Sequence, residues 1–119
     1  MKSDGRSKTV MFVVLELVEV GTLFDVAISQ GGLREDVARY YFKQLLEGLD
    51  HCYFKGVSHR DLKLENLMIA QNSDLKITDF GLSGPANGRD GKSYLHTPKV
   101  GTAGYMAPEI WKKLPYRGE

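Results

Sequence analysis

Two short apolar runs, residues 67–70 and 75–78, flank the polar tetrapeptide Gln71-Asn72-Ser73-Asp74, and no other pattern so narrows what this chain can fold into. Apolar runs of that length around a turn composition predict a β-hairpin. If 67 faces 78 and 70 faces 75, one further step of the ladder sets Asn66 opposite Asp79. Opposed residues of an antiparallel pair lie about 5 Å apart at Cα. An amide oxygen and a carboxylate from distant positions would then meet. Hard oxygen donors of that kind suit Mg²⁺, which keeps waters and shares phosphate oxygens.

The rest of the chain is organised around that hairpin. Residues 10–18 are rich in β-branched and apolar side chains and predict a buried strand, after a polar lead-in at 1–9. Gly21 breaks the pattern, 22–29 predict a short helix, and Gly31-Gly32 a turn. From 35 to about 54 the residues Val37, Tyr41, Leu45, Leu49 and Cys52 recur every three or four positions, the stripe of an amphipathic helix. Glu35 and Asp36 suit the positive end of its dipole, and Gly56 its end. The stretch 84–99, rich in Gly, Ser, Pro and Asn, predicts a mobile loop, and 107–113 a short helix that tolerates Pro108 in its first turn. No repeat, heptad or linker divides residues 10–119, which read as one α+β unit.

Composition excludes several classes. With 119 residues the chain suffices for one small domain but is short for a two-lobed enzyme. Hydrophobic residues at 42% and charged ones at 26% are ordinary for a globular protein, and a net charge of +1 gives no reason to expect nucleic acid or a membrane surface as partner. The lone Cys52 cannot form an internal disulfide, which fits a reducing, intracellular, cytoplasmic setting. Lys2, Arg6 and Lys8 before the apolar run have a faint look of a signal peptide. Glu16 and Glu19 interrupt that run, no small-x-small cleavage site follows, and it is too short to span a bilayer.

Asp61 lies five residues before Asn66, close to the same expected metal. A carboxylate there can orient a hydroxyl and accept its proton while a bond to phosphorus forms. Lys63 is a point charge suited to the transferring phosphate. A lone loop aspartate is usually a solvated cap, so the weight rests on the whole string. His51 and His96 mean little alone, and His59 reads as a structural histidine bracing the loop.

That string, His59-Arg60-Asp61-Leu62-Lys63-Leu64-Glu65-Asn66, is followed by Asp79-Phe80-Gly81 and Ala107-Pro108-Glu109. It resembles the signature set of eukaryotic protein kinases, in order and at workable spacing. Lys63 and the run Gly101-Thr102-Ala103-Gly104-Tyr105-Met106-Ala107-Pro108-Glu109 look like the serine/threonine branch. Leu23-Phe24-Asp25 and Asp79-Phe80-Gly81-Leu82-Ser83 lean toward its calcium/calmodulin-dependent or energy-sensing group. The resemblance runs from about residue 10 to the end. It implies a partial protein kinase fold: the end of the small lobe, the hinge, and the first part of the mainly helical large lobe. It also implies transfer of the γ-phosphate of ATP, with Mg²⁺, to a Ser/Thr hydroxyl of a protein substrate.

By the same resemblance Asp61 is the catalytic base, Lys63 contacts the γ-phosphate, and Asn66 and Asp79 hold Mg²⁺. Leu15 would be the gatekeeper, the backbone of Glu16 and Val18 would bond adenine, and Met68 would floor the base. Thr22 stands where many relatives place an acidic ribose contact. Thr102 would brace Asp61 and Lys63. Arg60 suggests control by an upstream activating kinase, a phosphate on the 80–109 loop pairing with the guanidinium. Thr97 is the candidate, although relatives carry the phosphothreonine where Pro98 stands; Ser93 is the fallback.

No Gly-rich phosphate loop or strand lysine precedes the string, and no later hydrophobic helix follows it. The resemblance therefore implies an incomplete catalytic domain, of low stability and weak ATP affinity alone. The alternative is a catalytically inactive, kinase-derived binding or regulatory module. A metal-dependent hydrolase built on His59, Asp61 and Asp79 would leave the 10–18 run and Ala107-Pro108-Glu109 unexplained.

Overall fold

The computed structural model describes residues 10–88, 92, 94–97 and 99–118; the lead-in at 1–9 and Ser93 lie outside them. Strand β1 (Gly21–Thr22) runs directly into helix α1 (Leu23–Ser29). Thr22 is extended, its Oγ1 accepts from the Asp25 N–H at 3.1 Å, and the Asp25 carboxylate accepts in turn from the Thr22 N–H at 3.3 Å. This capping box satisfies donors that the first turn leaves open. Gly31 and Gly32, both at positive φ, turn the chain into α2 (Glu35–Phe54), which ends where Gly56 takes φ 76°.

The hairpin forms from β3 (Leu67–Ile69) and β4 (Leu75–Ile77), with β1 on its other edge in the order β1-β3-β4. Its register is one residue from the expected one. Leu67 faces Ile77 and Ile69 faces Leu75, not 67 with 78. The turn is the reason. The Ala70 N–H donates to the Asp74 carbonyl at 2.9 Å and the Ser73 N–H to the Ala70 carbonyl at 2.9 Å, with Ser73 at φ 67°. That is a three-residue loop with its last member left-handed, so Asp74 belongs to the ladder. Asn72 supports it by accepting from the Asp74 N–H. As a result Asn66 faces Thr78, whose N–H donates to the Asn66 carbonyl at 2.9 Å, and Asp79 falls one place beyond.

The core lies where α1 and α2 cover this sheet. Leu23, Leu67 and Ile69 are buried, with Val26, Tyr41, Leu45 and Ile77 packed against them. Gly48 lets the middle of α2 approach β4, since a Cβ there would stand 2.9 Å from Ile77 Cδ1. Among the described residues of α2 none is fully buried.

Three further expectations are corrected. Residues 10–18 form no strand, and Phe12, Val14 and Leu15 are exposed. β-branched content yields a strand only where a neighbour supplies the ladder, and none of the described strands pairs with this segment. It is held instead by side chains, Glu16 on Lys76 at 3.3 Å and Glu19 on Gln71. The stretch 84–99 is not a free loop throughout. Strand β5 (Gly84–Pro85) pairs with β2 (Val57–Ser58), and β6 (Leu95–His96) pairs with β7 (Tyr116–Arg117). Such pairings join segments far apart in sequence, which composition does not reveal. Helix α3 is shorter than expected, Pro108–Trp111, with Pro108 at its start. Among the described residues no helix is long and apolar enough to cross a membrane.

Removing the α1 cap tests this account. Thr22→Ala is expected to weaken the helix by about 1 kcal/mol. Amide hydrogen exchange should accelerate in α1 and not in α2; equal protection in both proteins would show that the box carries no weight.

Candidate active site

Strand β2 delivers the chain to a buried loop whose conformation His59 fixes. The imidazole is 3% exposed and lies against the Phe80 ring at 4.7 Å. Its Nδ1 accepts from the Asp61 N–H at 3.2 Å, which assigns the ring proton to Nε2; Nε2 then donates to the Thr78 carbonyl at 2.9 Å. Both nitrogens are committed to the backbone. His59 therefore ties the loop to the end of β4 and has no nitrogen left for proton transfer.

Asp61, Lys63 and Thr102 come together from positions 61, 63 and 102. Asp61 is 8% exposed. Thr102 Oγ1 donates to Asp61 Oδ1 at 2.7 Å, and Lys63 Nζ donates to Thr102 Oγ1 at 2.9 Å and lies 3.3 Å from Asp61 Oδ2. The Thr102 hydroxyl does most to hold the carboxyl below its ordinary value of 3.8, with Lys63 adding to it, while burial pulls the other way. The site thus keeps an ionised carboxylate beside a cation and a hydroxyl.

Asn66 closes the 3₁₀ turn Leu64–Asn66 and is buried. Its Nδ2 donates to the Asp61 carbonyl at 2.9 Å, which leaves Oδ1 as the atom able to bind a cation. Asp79 is exposed and left-handed at φ 60°, and its Oδ1 accepts from the Gly81 N–H at 3.2 Å. The two side chains are not hydrogen-bonded to each other, and they sit at diagonal and not opposed positions. Each nonetheless has a hard oxygen without a partner among the described residues, a donor set that fits Mg²⁺ completed by phosphate oxygens and waters.

The remaining candidates are more scattered. Leu15 is 74% exposed, Val18 half-buried, and Met68 half-buried on β3 opposite Lys76. Lys76, the ladder partner of Met68, binds Glu16 through its side chain at 3.3 Å. Thr97 is exposed. Arg60 donates to the carbonyls of Leu82 at 2.7 Å and Ser83 at 2.8 Å, and Nη1 lies 3.3 Å from His96 Nδ1. His96, 1% exposed, carried no sequence signal, since its burial follows from the β6–β7 pairing. A cavity of about 800 Å³ touches Asp61 and Thr102 but not Asn66 or Asp79; Leu46, Tyr53, Val57 and Ile110 line much of it. That apolar lining suits side-chain packing better than a phosphate.

Because Asp61 titrates below its ordinary value, its contribution to stability is complete above pH 3.8 and fades as the pH falls through the lowered value. Thr102→Val is expected to raise the Asp61 pKa and shrink this contribution. Titration of the Asp61 carboxyl carbon by NMR measures it; an unmoved midpoint would show that the hydroxyl does not set the charge.

The description "protein kinase domain" belongs to the family model that matches residues 2–119. The CBL-interacting serine/threonine-protein kinase 5 of Arabidopsis thaliana is 51% identical over 118 residues, 99% of this chain and 26% of that protein. The CBL-interacting protein kinase 12 of Oryza sativa subsp. japonica is 47% identical over 112 residues, 94% of this chain and 20% of that protein. The chain thus spans about a quarter of the length of the curated relatives it matches. With a family match over almost every residue, and with the loop, turn and Ala107-Pro108-Glu109 segment in the same order, this chain belongs to the protein kinase family.

Proposed function

We propose that the protein transfers the γ-phosphate of ATP to a serine or threonine hydroxyl of a protein substrate, and that this chain supplies its catalytic loop. The observation that carries the reading is the contact of Asp61, Thr102 and Lys63 within 3.3 Å. A substrate hydroxyl next to Asp61 gives its proton to the carboxylate as its oxygen bonds to the γ-phosphorus and the bond to the β-phosphate oxygen breaks, leaving ADP. Lys63 supports the charge of the moving phosphoryl group, and Thr102 orients both neighbours. Asn66 Oδ1 and Asp79 would hold Mg²⁺, which offsets phosphate charge when bound. Most of the rate then comes from positioning and fixed charge.

The 16–18 segment and Met68 are the adenine side of this reading, supported by the Glu16–Lys76 contact beside β3. An intracellular location is supported by the single cysteine. Control by an upstream kinase is supported by the exposure of Thr97 one residue from the buried partner of Arg60.

Asp61→Ala and Asp79→Ala, each made in the protein as its gene encodes it, are expected to lower ATP-dependent substrate phosphorylation by about 10²–10⁴-fold. Radiolabel transfer that persists unchanged in both variants would remove these roles and favour a non-catalytic binding module. Phosphopeptide mass spectrometry of the cell-derived protein is expected to find phosphate on Thr97; a uniformly bare Thr97 would end that assignment.

A further inference from the structure

Arg60 precedes Asp61 and sits at φ 68°. A non-glycine residue in the left-handed region is strained and persists only when its surroundings hold it there. Three observations show what holds Arg60. Its guanidinium lies flat against Gly84, where a Cβ would come within 2.7 Å of Cζ. Its carbonyl is covered by Gly101, itself at φ 115°, where a Cβ would come within 2.8 Å. Its donors reach two carbonyls of the following segment and one imidazole nitrogen, His96 Nδ1.

The imidazole contact dictates a protonation state. Arginine donates and never accepts, so this contact is a hydrogen bond only in the tautomer whose Nδ1 presents its lone pair, with the ring proton on Nε2, which has no hydrogen-bond partner among the described residues. A protonated His96 would lose the acceptor and place a second cation against the guanidinium. The ring is well fixed for this part. It is 1% exposed, between Tyr94 at 4.9 Å and Tyr116 at 5.3 Å, on a strand paired residue for residue with β7. The groups around it are Arg60 from the loop, Tyr94 before β6, Tyr116 on β7, the Ser58 hydroxyl of β2 and the Pro85 carbonyl of β5. Burial first, and the Arg60 charge second, hold its pKa below the ordinary imidazole value against the pull of Pro85.

We propose that His96 is a positioning residue for the transfer reaction. As a neutral Nδ1 acceptor it completes the coordination of Arg60, and through Arg60 it keeps the Asp61 backbone in place without any phosphate on the segment. A phosphoryl group brought to Arg60 therefore competes with His96 for Nη1. This inference rests on the kinase reading above for its catalytic consequence, but the contact itself does not.

Two measurements on the protein as its gene encodes it separate these matters. Long-range ¹⁵N–¹H correlation spectra of the unmodified protein should show His96 unprotonated at Nδ1 and protonated at Nε2 near neutral pH. A proton on Nδ1 would overturn the proposal, whether or not the protein transfers phosphate. In the kinetic arm, His96→Phe should lower kcat about tenfold with KM for ATP changed less than about twofold, whereas His96→Asn, which keeps an acceptor, should stay within about threefold of wild type. The wild-type profile should lose kcat as the pH falls through the His96 value, which lies below the ordinary 6.5, a limb absent in His96→Asn. Equal kcat and superimposable pH profiles for the two variants would overturn the proposal. If no variant and no wild-type protein transfers phosphate, the kinase reading has failed and the spectrum alone decides the His96 contact.

Discussion

The site is referred to the hairpin register, and the register is set by one left-handed residue. Ser73 allows a three-residue loop, which pairs Ala70 with Asp74 and hence Asn66 with Thr78. That rung leaves the Thr78 carbonyl to His59, whose other nitrogen holds the Asp61 N–H. A slip of one residue would turn every side chain of β4 to its other face. The core contact of Ile77 with Gly48 and the His59 bridge would then be lost together. Packing and chemistry therefore depend on a single backbone alignment.

What could be read in the sequence was what local chemistry decides. The α2 stripe, the helix after Gly21 and the stop at Gly56 depend on near neighbours, and the structure has them at or within a residue of those positions. The family followed from a string of residues whose order is itself the signal. The register was missed because Asp74 has a turn composition yet takes part in the ladder. The strand expected at 10–18 does not form, because a strand is a relation between segments, and side chains that favour extended backbone do not supply its partner. His96 looked uninformative because its burial is decided by Tyr116, twenty positions on.

The loop also shows how a half-buried charge is made compatible with a folded interior. Among the described residues Arg60 meets carbonyl oxygens and an imidazole nitrogen rather than a carboxylate. Asp61, one residue on, faces a hydroxyl and an ammonium instead. Adjacent opposite charges are thus kept from pairing with each other and directed into separate networks. Such a separation leaves the aspartate oxygens in the company of groups that can exchange partners.

Two positions that follow the Arg60 network along the chain touch: the Tyr94 N–H donates to the Ala86 carbonyl at 2.7 Å. A loop already closed at its base can grow cheaply, since each doubling of length adds only about 0.6 kcal/mol of closure entropy. The interval between Ala86 and Tyr94 is accordingly the place where this architecture can absorb insertions. New sequence added there, by natural drift or by a protein engineer, would leave the contact between Ala86 and Tyr94 to hold the scaffold to its dimensions.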